Sequence, residues 1–184
     1  MSASRGGMKR SFAVIPPPMY AMVFLVVLGG VLPLVAIGIM LWFGNPPLDG
    51  LKQVSPALVI VPAVLALLFF AMKRRSVDLA SGVLDVRAAI YRERTSIADI
   101  DLERARLVDL AERTDLRPLI KTNGMSLPGF DAGRFRLRGK LAKAFCLVTD
   151  RRRVLWLPLY DGKHQLLLSV EHPQALLDAL RAGR

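Results

Sequence analysis

The chain has 184 residues, 53% of them hydrophobic, with 26 Lys and Arg against 15 Asp and Glu for a net charge of +11. So high an apolar share is unusual for a soluble protein, and the length leaves room for one ordinary domain plus a membrane anchor. The lone Cys146 excludes an intramolecular disulfide framework, which agrees with a reducing compartment, and no internal repeat or low-complexity segment is evident.

Residues 1–18 read as a basic cytoplasmic tail with Arg5, Lys9 and Arg10. Residues 19–43 and 54–72 contain no charge. At a 1.5 Å rise per residue they reach roughly 37 and 28 Å, against a hydrocarbon core of about 30 Å, so both are expected to be transmembrane helices. The first run is too long for a secretory signal and no convincing small-residue cleavage site follows it. Tyr20 at one end and Trp42 with Phe43 at the other fit interfacial aromatic belts. Pro33 and Pro62 interrupt the two runs, and Gly29, Gly30, Ala36, Gly38, Ala57, Ala63 and Ala66 supply small surfaces for close helix packing. Neither run holds an ionisable group, so no transport path through this chain alone is expected.

The connector 44–53 is too short for a domain and makes the two helices antiparallel neighbours, with the connector outside the cytoplasm. Lys9 and Arg10 precede the first run and Lys73, Arg74 and Arg75 follow the second, whereas the connector has only Lys52 beside Asp49. The positive-inside bias therefore predicts a multi-pass protein of the inner membrane with both termini cytoplasmic.

Residues 73–184 carry 22 Lys and Arg against 14 Asp and Glu and so hold +8 of the +11. Alternation in 84–88 and 134–138 predicts half-buried antiparallel strands, the second with Phe135 and Leu137 on one face and Arg134, Arg136 and Arg138 on the other. Residues 97–113 fit a helical face through Ile100, Leu107, Leu110 and Ala111, or strand ends around Ile97–Ile100; strand is the reading taken. Residues 144–149, 154–160 and 165–170 predict a meander, with Asp161-Gly162 as a hairpin turn. After His172 as N-cap and Pro173 at the first helical position, Ala175, Leu176, Leu177, Ala179 and Leu180 make an apolar stripe, and Arg181 precedes Gly183 at the end of a short amphipathic helix. Antiparallel strands closed by one helix predict a sandwich or open barrel with a C-terminal cap.

The series Arg117 to Gly124, Pro128-Gly129-Phe130 and Gly133-Arg134-Phe135, with Ile97 to Ile100 and the closing strand, turn and helix, resembles the bacterial pleckstrin-homology-like domain family over roughly residues 76–182. The resemblance implies a seven-stranded, two-sheet or partly open barrel capped by a helix. It also implies a binding or scaffolding module, often behind membrane spans, rather than an enzyme. Read as turn chemistry, Gly124, Pro128, Gly129 and Gly133 predict a long connection folding back before the Phe135 strand. No Lys-Ser or Lys-Thr pair follows the glycines, which excludes a P-loop. Arg87, Arg92 and Arg94 do not reproduce the basic pattern with which eukaryotic relatives hold inositol lipids, so that activity is not expected.

No catalytic, metal or cofactor site is expected. His164, His172 and Cys146 lack ligand spacing, no nucleophile elbow is present, and Cys146 reads as a small buried hydrophobe. The candidate surface is basic: Arg134, Arg136, Arg138, Lys140, Lys143, Arg151, Arg152 and Arg153. Two readings of it stand, contact with anionic headgroups or an acidic partner, and plain solubility. The expectation is a non-enzymatic, bilayer-anchored scaffold or binding module that meets lipid, a protein partner or its own copy, and does not bind nucleic acid; the alternative is an accessory subunit of a transport or envelope complex.

Overall fold

The computed structural model describes residues 10–43, 48–139 and 141–183. Lys9, Lys140 and the first part of the connector, 44–47, lie outside the described residues.

The chain enters its own domain before it leaves it. Strand β1, Arg10–Phe12, is followed by three prolines and then by helix α1, Met19–Val26, a π-helical turn at Val27–Val31, and helix α2, Leu32–Phe43. The π turn stands directly ahead of Pro33, whose missing N–H and ring disrupt the regular ladder at that level. Helix α3, Leu48–Lys73, returns alongside and contains both Pro56 and Pro62. A Cβ built on Gly29 or Gly30 would come within 2.8 Å of a Leu65 methyl, so the paired glycines give α3 its close approach.

The two-helix transmembrane hairpin predicted from 19–43 and 54–72 is not what the structure supports. One helical stretch, Met19–Met40, is long and apolar enough to cross a membrane; the apolar part of the second that the description covers, Val59–Lys73, is shorter. At 1.5 Å per residue it reaches only about 22 Å. Its lower end is also committed elsewhere, because Ala71 and Met72 are buried in the domain core. A run of apolar letters cannot distinguish side chains meant for lipid from side chains meant for protein.

Beyond α3 the chain makes two sheets. Strands β2, Arg75–Ala80, β3, Val83–Ala88, and β4, Tyr91–Ser96, form a meander, and β1 adds to its β2 edge in the order β1-β2-β3-β4. Ser81 and Gly82 both have positive φ, the geometry of a type I′ hairpin turn. The segment after β4 is neither one helix nor one strand: it is a 3₁₀ turn at Ile97–Asp99 capped by the Ser96 side chain, then a bridge from Ile100 to Leu159, then strand β5, Arg106–Val108.

The second sheet holds β5 with β6, Pro118–Leu127, β7, Phe130–Leu137, β8, Lys143–Val148, β9, Val154–Pro158, and β10, His164–Leu168. Its order is β5-β9-β10-β8-β7-β6. Two expectations change here. The glycine and proline series is not a long connection but the β6–β7 hairpin, with Pro128-Gly129 at its tip and Gly124 paired to Gly133. The last three strands are not a meander, because β10 slots between β9 and β8 and pairs with β8 in parallel, Lys143 opposite His164. All three strands are buried on both faces along most of their length, the pattern of interior strands.

The sheets pack around a core that includes Val77, Leu84, Phe130, Leu147, Leu157 and Leu168. Helix α4, Pro173–Ala182, closes this core with Leu176, Leu177, Ala179 and Leu180, whereas Ala175 faces solvent. A second cluster lies on the other face of the six-stranded sheet, where Phe135, Leu137, Cys146, Trp156 and Leu167 meet Leu110 and Leu116. The Arg117 guanidinium holds this cover in place, donating to the carbonyls of Leu110 and, at 3.1 Å, Ala111.

Candidate functional site

The basic residues singled out in the sequence separate to opposite ends of the six-stranded sheet. Strand β7 alternates as expected: Phe135 and Leu137 are buried, Arg134 is exposed and Arg136 half-buried. Antiparallel pairing with β8 sets Arg136 opposite Lys143 and Asp131 opposite Val148. Lys143 and Val148 are therefore about 17 Å apart along the strand. Arg134, Arg136, Arg138 and Lys143 belong to the Lys143 end, and Arg151, Arg152 and Arg153 follow the Val148 end.

The Val148 end is where the helices attach. Gly129, with φ +72, lies against Pro18 and Tyr20: a Cβ there would come within 2.8 Å of Pro18 Cγ and would overlap the Tyr20 hydroxyl. Lys73, Arg74 and Arg75 leave α3 at this end; the Arg74 carbonyl accepts from Ala89 N–H at 2.8 Å, and Arg75 Nη1 donates to Met72 O at 3.1 Å. Burial draws the half-covered Arg75 guanidinium below its ordinary pKa. Arg10 is exposed on β1. Arg151 donates to the buried Asp131 carboxylate at 3.2 Å, which also accepts from Ser126 Oγ at 2.5 Å, while Arg152 and Arg153 project into solvent.

At the free end, two recesses flank the strand ends. A cleft of about 560 Å³ lies between the sheets, bordered by Glu93, Arg94, Arg134, Arg136, Lys143 and His164. Arg134 spans it to reach Glu93 of the other sheet at 2.7 Å. A groove of about 590 Å³ opens on the outer side, where Arg104, Arg106, Arg136, Lys143 and Lys163 surround Trp156. The Arg104 and Arg106 guanidinium carbons stand 5.9 and 5.1 Å from the indole centroid, and Trp156 Nε1 donates to Gln165 Oε1 at 2.7 Å. These are cation–π contacts that fix two guanidinium groups over an aromatic floor. Its acid, Asp115, is taken up by Arg113 through hydrogen bonds of 3.0 and 2.9 Å, which hold the carboxyl below its ordinary pKa.

The Asp161-Gly162 turn borders the same end, Gly162 having φ +65. Partial burial pushes the Asp161 carboxyl up, but the His164 ring and the backbone N–H groups of His164 and Lys163 outweigh it and bring its pKa down to about 2. Cys146 is fully buried, and burial with the nearby Asp131 charge pushes its thiol well up, which suits a packing role. Among the described residues no group of three or more His, Cys, Asp or Glu side chains is placed to hold a metal ion.

Sequence reasoning missed the outer groove. Arg104 and Arg106 fall in the 97–113 segment, whose reading rests on its apolar positions alone, and Trp156 in the apolar run 154–160. The signal that brings them together is the register of β5 on β9, which sets Arg106 opposite Trp156. Comparison with protein-family models, with curated proteins and with solved structures returns no match for this chain.

Proposed function

We propose that this chain is a non-enzymatic binding module held at a bilayer by its N-terminal apolar helix, with the attached end of the domain against anionic headgroups and the free end presented to the cytoplasm. The observation that carries the reading is the position of β1. Arg10 to Phe12 pair with Leu79 to Val77, Val14 bridges to Val170, and Glu171 N–H donates to Ala13 O at 3.0 Å, all ahead of the apolar helix. A signal removed after that helix would take a strand of the sheet with it, so the helix acts as an anchor.

The surroundings of the helix base support headgroup contact. Arg74, Arg87 and Arg92 surround Ile90, an exposed apolar side chain at the tip of the β3–β4 hairpin, and Arg151 to Arg153 share this end. Near an anionic leaflet cations attract headgroups; Arg92 and Arg151 contribute less than the others here, because they are paired with Asp85 and Asp131. An apolar tip among cations meets both layers of an interface. The positive-inside bias places this end in the cytoplasm.

N-terminal sequencing of the membrane-extracted protein, with hydrogen exchange in nanodiscs, tests the proposal. The expected result is an intact N-terminus and slower exchange around Ile90 and Arg151 to Arg153 in phosphatidylglycerol than in phosphatidylcholine. A mature N-terminus beyond residue 43 removes the anchor, and equal exchange in both lipids removes the headgroup contact.

A second reading, an accessory subunit of a membrane complex, draws on the outward-facing Val59, Ile60, Leu67 and Phe70 of the apolar part of α3. Native mass spectrometry from mild detergent separates the two, since the subunit reading requires a stoichiometric partner.

A further inference from the structure

We propose that the outer groove at the free end is a binding site for a soluble phosphorylated small molecule bearing more than one phosphate. Most of its cations are unspent: among the described residues, Arg106, Lys143 and Lys163 have no ion-pair partner, Arg136 reaches only the Leu141 carbonyl, at 3.3 Å, and Arg104 meets Asp101 only at 4.0 Å. Among the described residues lining the groove the acid is Asp115, and it is already paired with Arg113.

The guanidinium groups of Arg104 and Arg106 are held by Trp156, which lowers the ordering cost of presenting their N–H edges. Phosphate, with three acceptor oxygens and a charge near −2, is the anion such forks and a pair of lysines match best. The groove's volume of about 590 Å³ is that of a small-molecule site. Its position, at the Lys143 end of β8 and away from Gly129 and Tyr20, takes it out of reach of headgroups at the helix base, so the ligand comes from solution.

The chain has two tryptophans, Trp42 and Trp156. A Trp42→Phe background therefore makes Trp156 the sole indole reporter inside the groove. The full chain in phosphatidylcholine nanodiscs is titrated with inorganic tripolyphosphate at constant ionic strength, following Trp156 emission and melting temperature.

The expected result is a saturable change in emission with a rise in melting temperature. Removing two phosphate contacts in Arg106→Ala with Lys163→Ala weakens binding by roughly tenfold or more. Neutralising Arg151, Arg152 and Arg153 to Ala leaves it unchanged. The proposal is overturned by the absence of both responses, or by an equal response to sodium chloride. It is overturned equally by the same loss in the Arg151 to Arg153 variant, or by a response that appears only when phosphatidylglycerol nanodiscs replace the free probe.

Discussion

The attached end and the free end of this sandwich are both cationic, yet they use their cations differently. At the attached end Arg75 caps Met72 and Arg151 covers a buried aspartate, so part of the charge holds the domain to its helices. At the free end Arg106, Lys143 and Lys163 make no ion pair among the described residues and line a recess. Like charge at the two ends therefore does not mean like use: the attached end spends part of it on the base of the helices and on a buried acid, whereas the free end gathers unpaired cations round one recess.

The largest test of that contrast removes what ties the attached end together. Deleting residues 1–15 takes away β1 and the Val14 bridge and leaves the β2 edge bare. The expected loss, read by chemical denaturation in detergent, is more than about 4 kcal/mol. Retention of full stability would show that β1 rests on the sheet without supporting it.

Next comes a pair of glycines with the same backbone and different neighbours. Gly129 and Gly162 both have positive φ, but Gly162 has nothing within 4 Å of a Cβ, whereas Gly129 is pressed on Pro18 and Tyr20. Gly162→Ala is expected to cost about 1 kcal/mol for the left-handed conformation alone, and Gly129→Ala about 2–3 kcal/mol. Shortening Tyr20 to Ala recovers part of the difference in a double-mutant cycle. Equal costs would mean that the hairpin tip and the helix base are not packed.

The arginine turn gives a finer comparison. Arg151→Ala uncovers Asp131, which is 3% exposed, and is expected to cost about 1–2 kcal/mol after allowance for the 53% exposure of the Arg151 side chain. Arg152→Ala, on a solvent-facing side chain, is expected to stay within about 0.5 kcal/mol. Thermal melts of the two variants check this.

The smallest effect belongs to the free end. Asp161 has its pKa lowered to about 2, so its bonds to the 162–164 turn contribute stability above the ordinary carboxylate value of 3.8, and that contribution is lost as pH falls through about 2. Melting temperature followed from pH 7 to pH 2 is expected to fall less steeply at the acid end for Asp161→Asn than for the parent chain. Identical slopes would show that the turn gains nothing from the charge.

Much of the chain could be read from its letters because the relevant physics is local. The apolarity of Met19–Met40, the alternation of Phe135 and Leu137 with arginines, the Asp161-Gly162 turn and the α4 stripe are all patterns within a dozen residues. Where the expectation changed, the deciding partner lay far off in sequence. Arg10 to Phe12 have no strand signal of their own and become a strand only because β2 offers an open edge. Gly124 and Gly133 read as loop residues because small residues suit turns, yet here they let two strands of one hairpin pass closely: a Cβ on Gly133 would sit 2.6 Å from Asn123 O. The parallel pairing of β8 with β10 was hidden for the same reason, since three apolar runs in a row do not state their order.

By itself the sequence determined that one N-terminal helix is apolar and long enough to cross a membrane, that a basic region follows it, and that this region is mostly strand with a helix at its end. Those properties depend on composition and on short periodicities, which survive without knowledge of any contact. Only the tertiary structure decided that the second apolar run ends inside the domain core, that the arginines divide between two ends, and that Arg104 and Arg106 stand over Trp156. Each of these rests on register and packing between segments tens of residues apart, where the free energy is set by neighbours that the linear chain does not name.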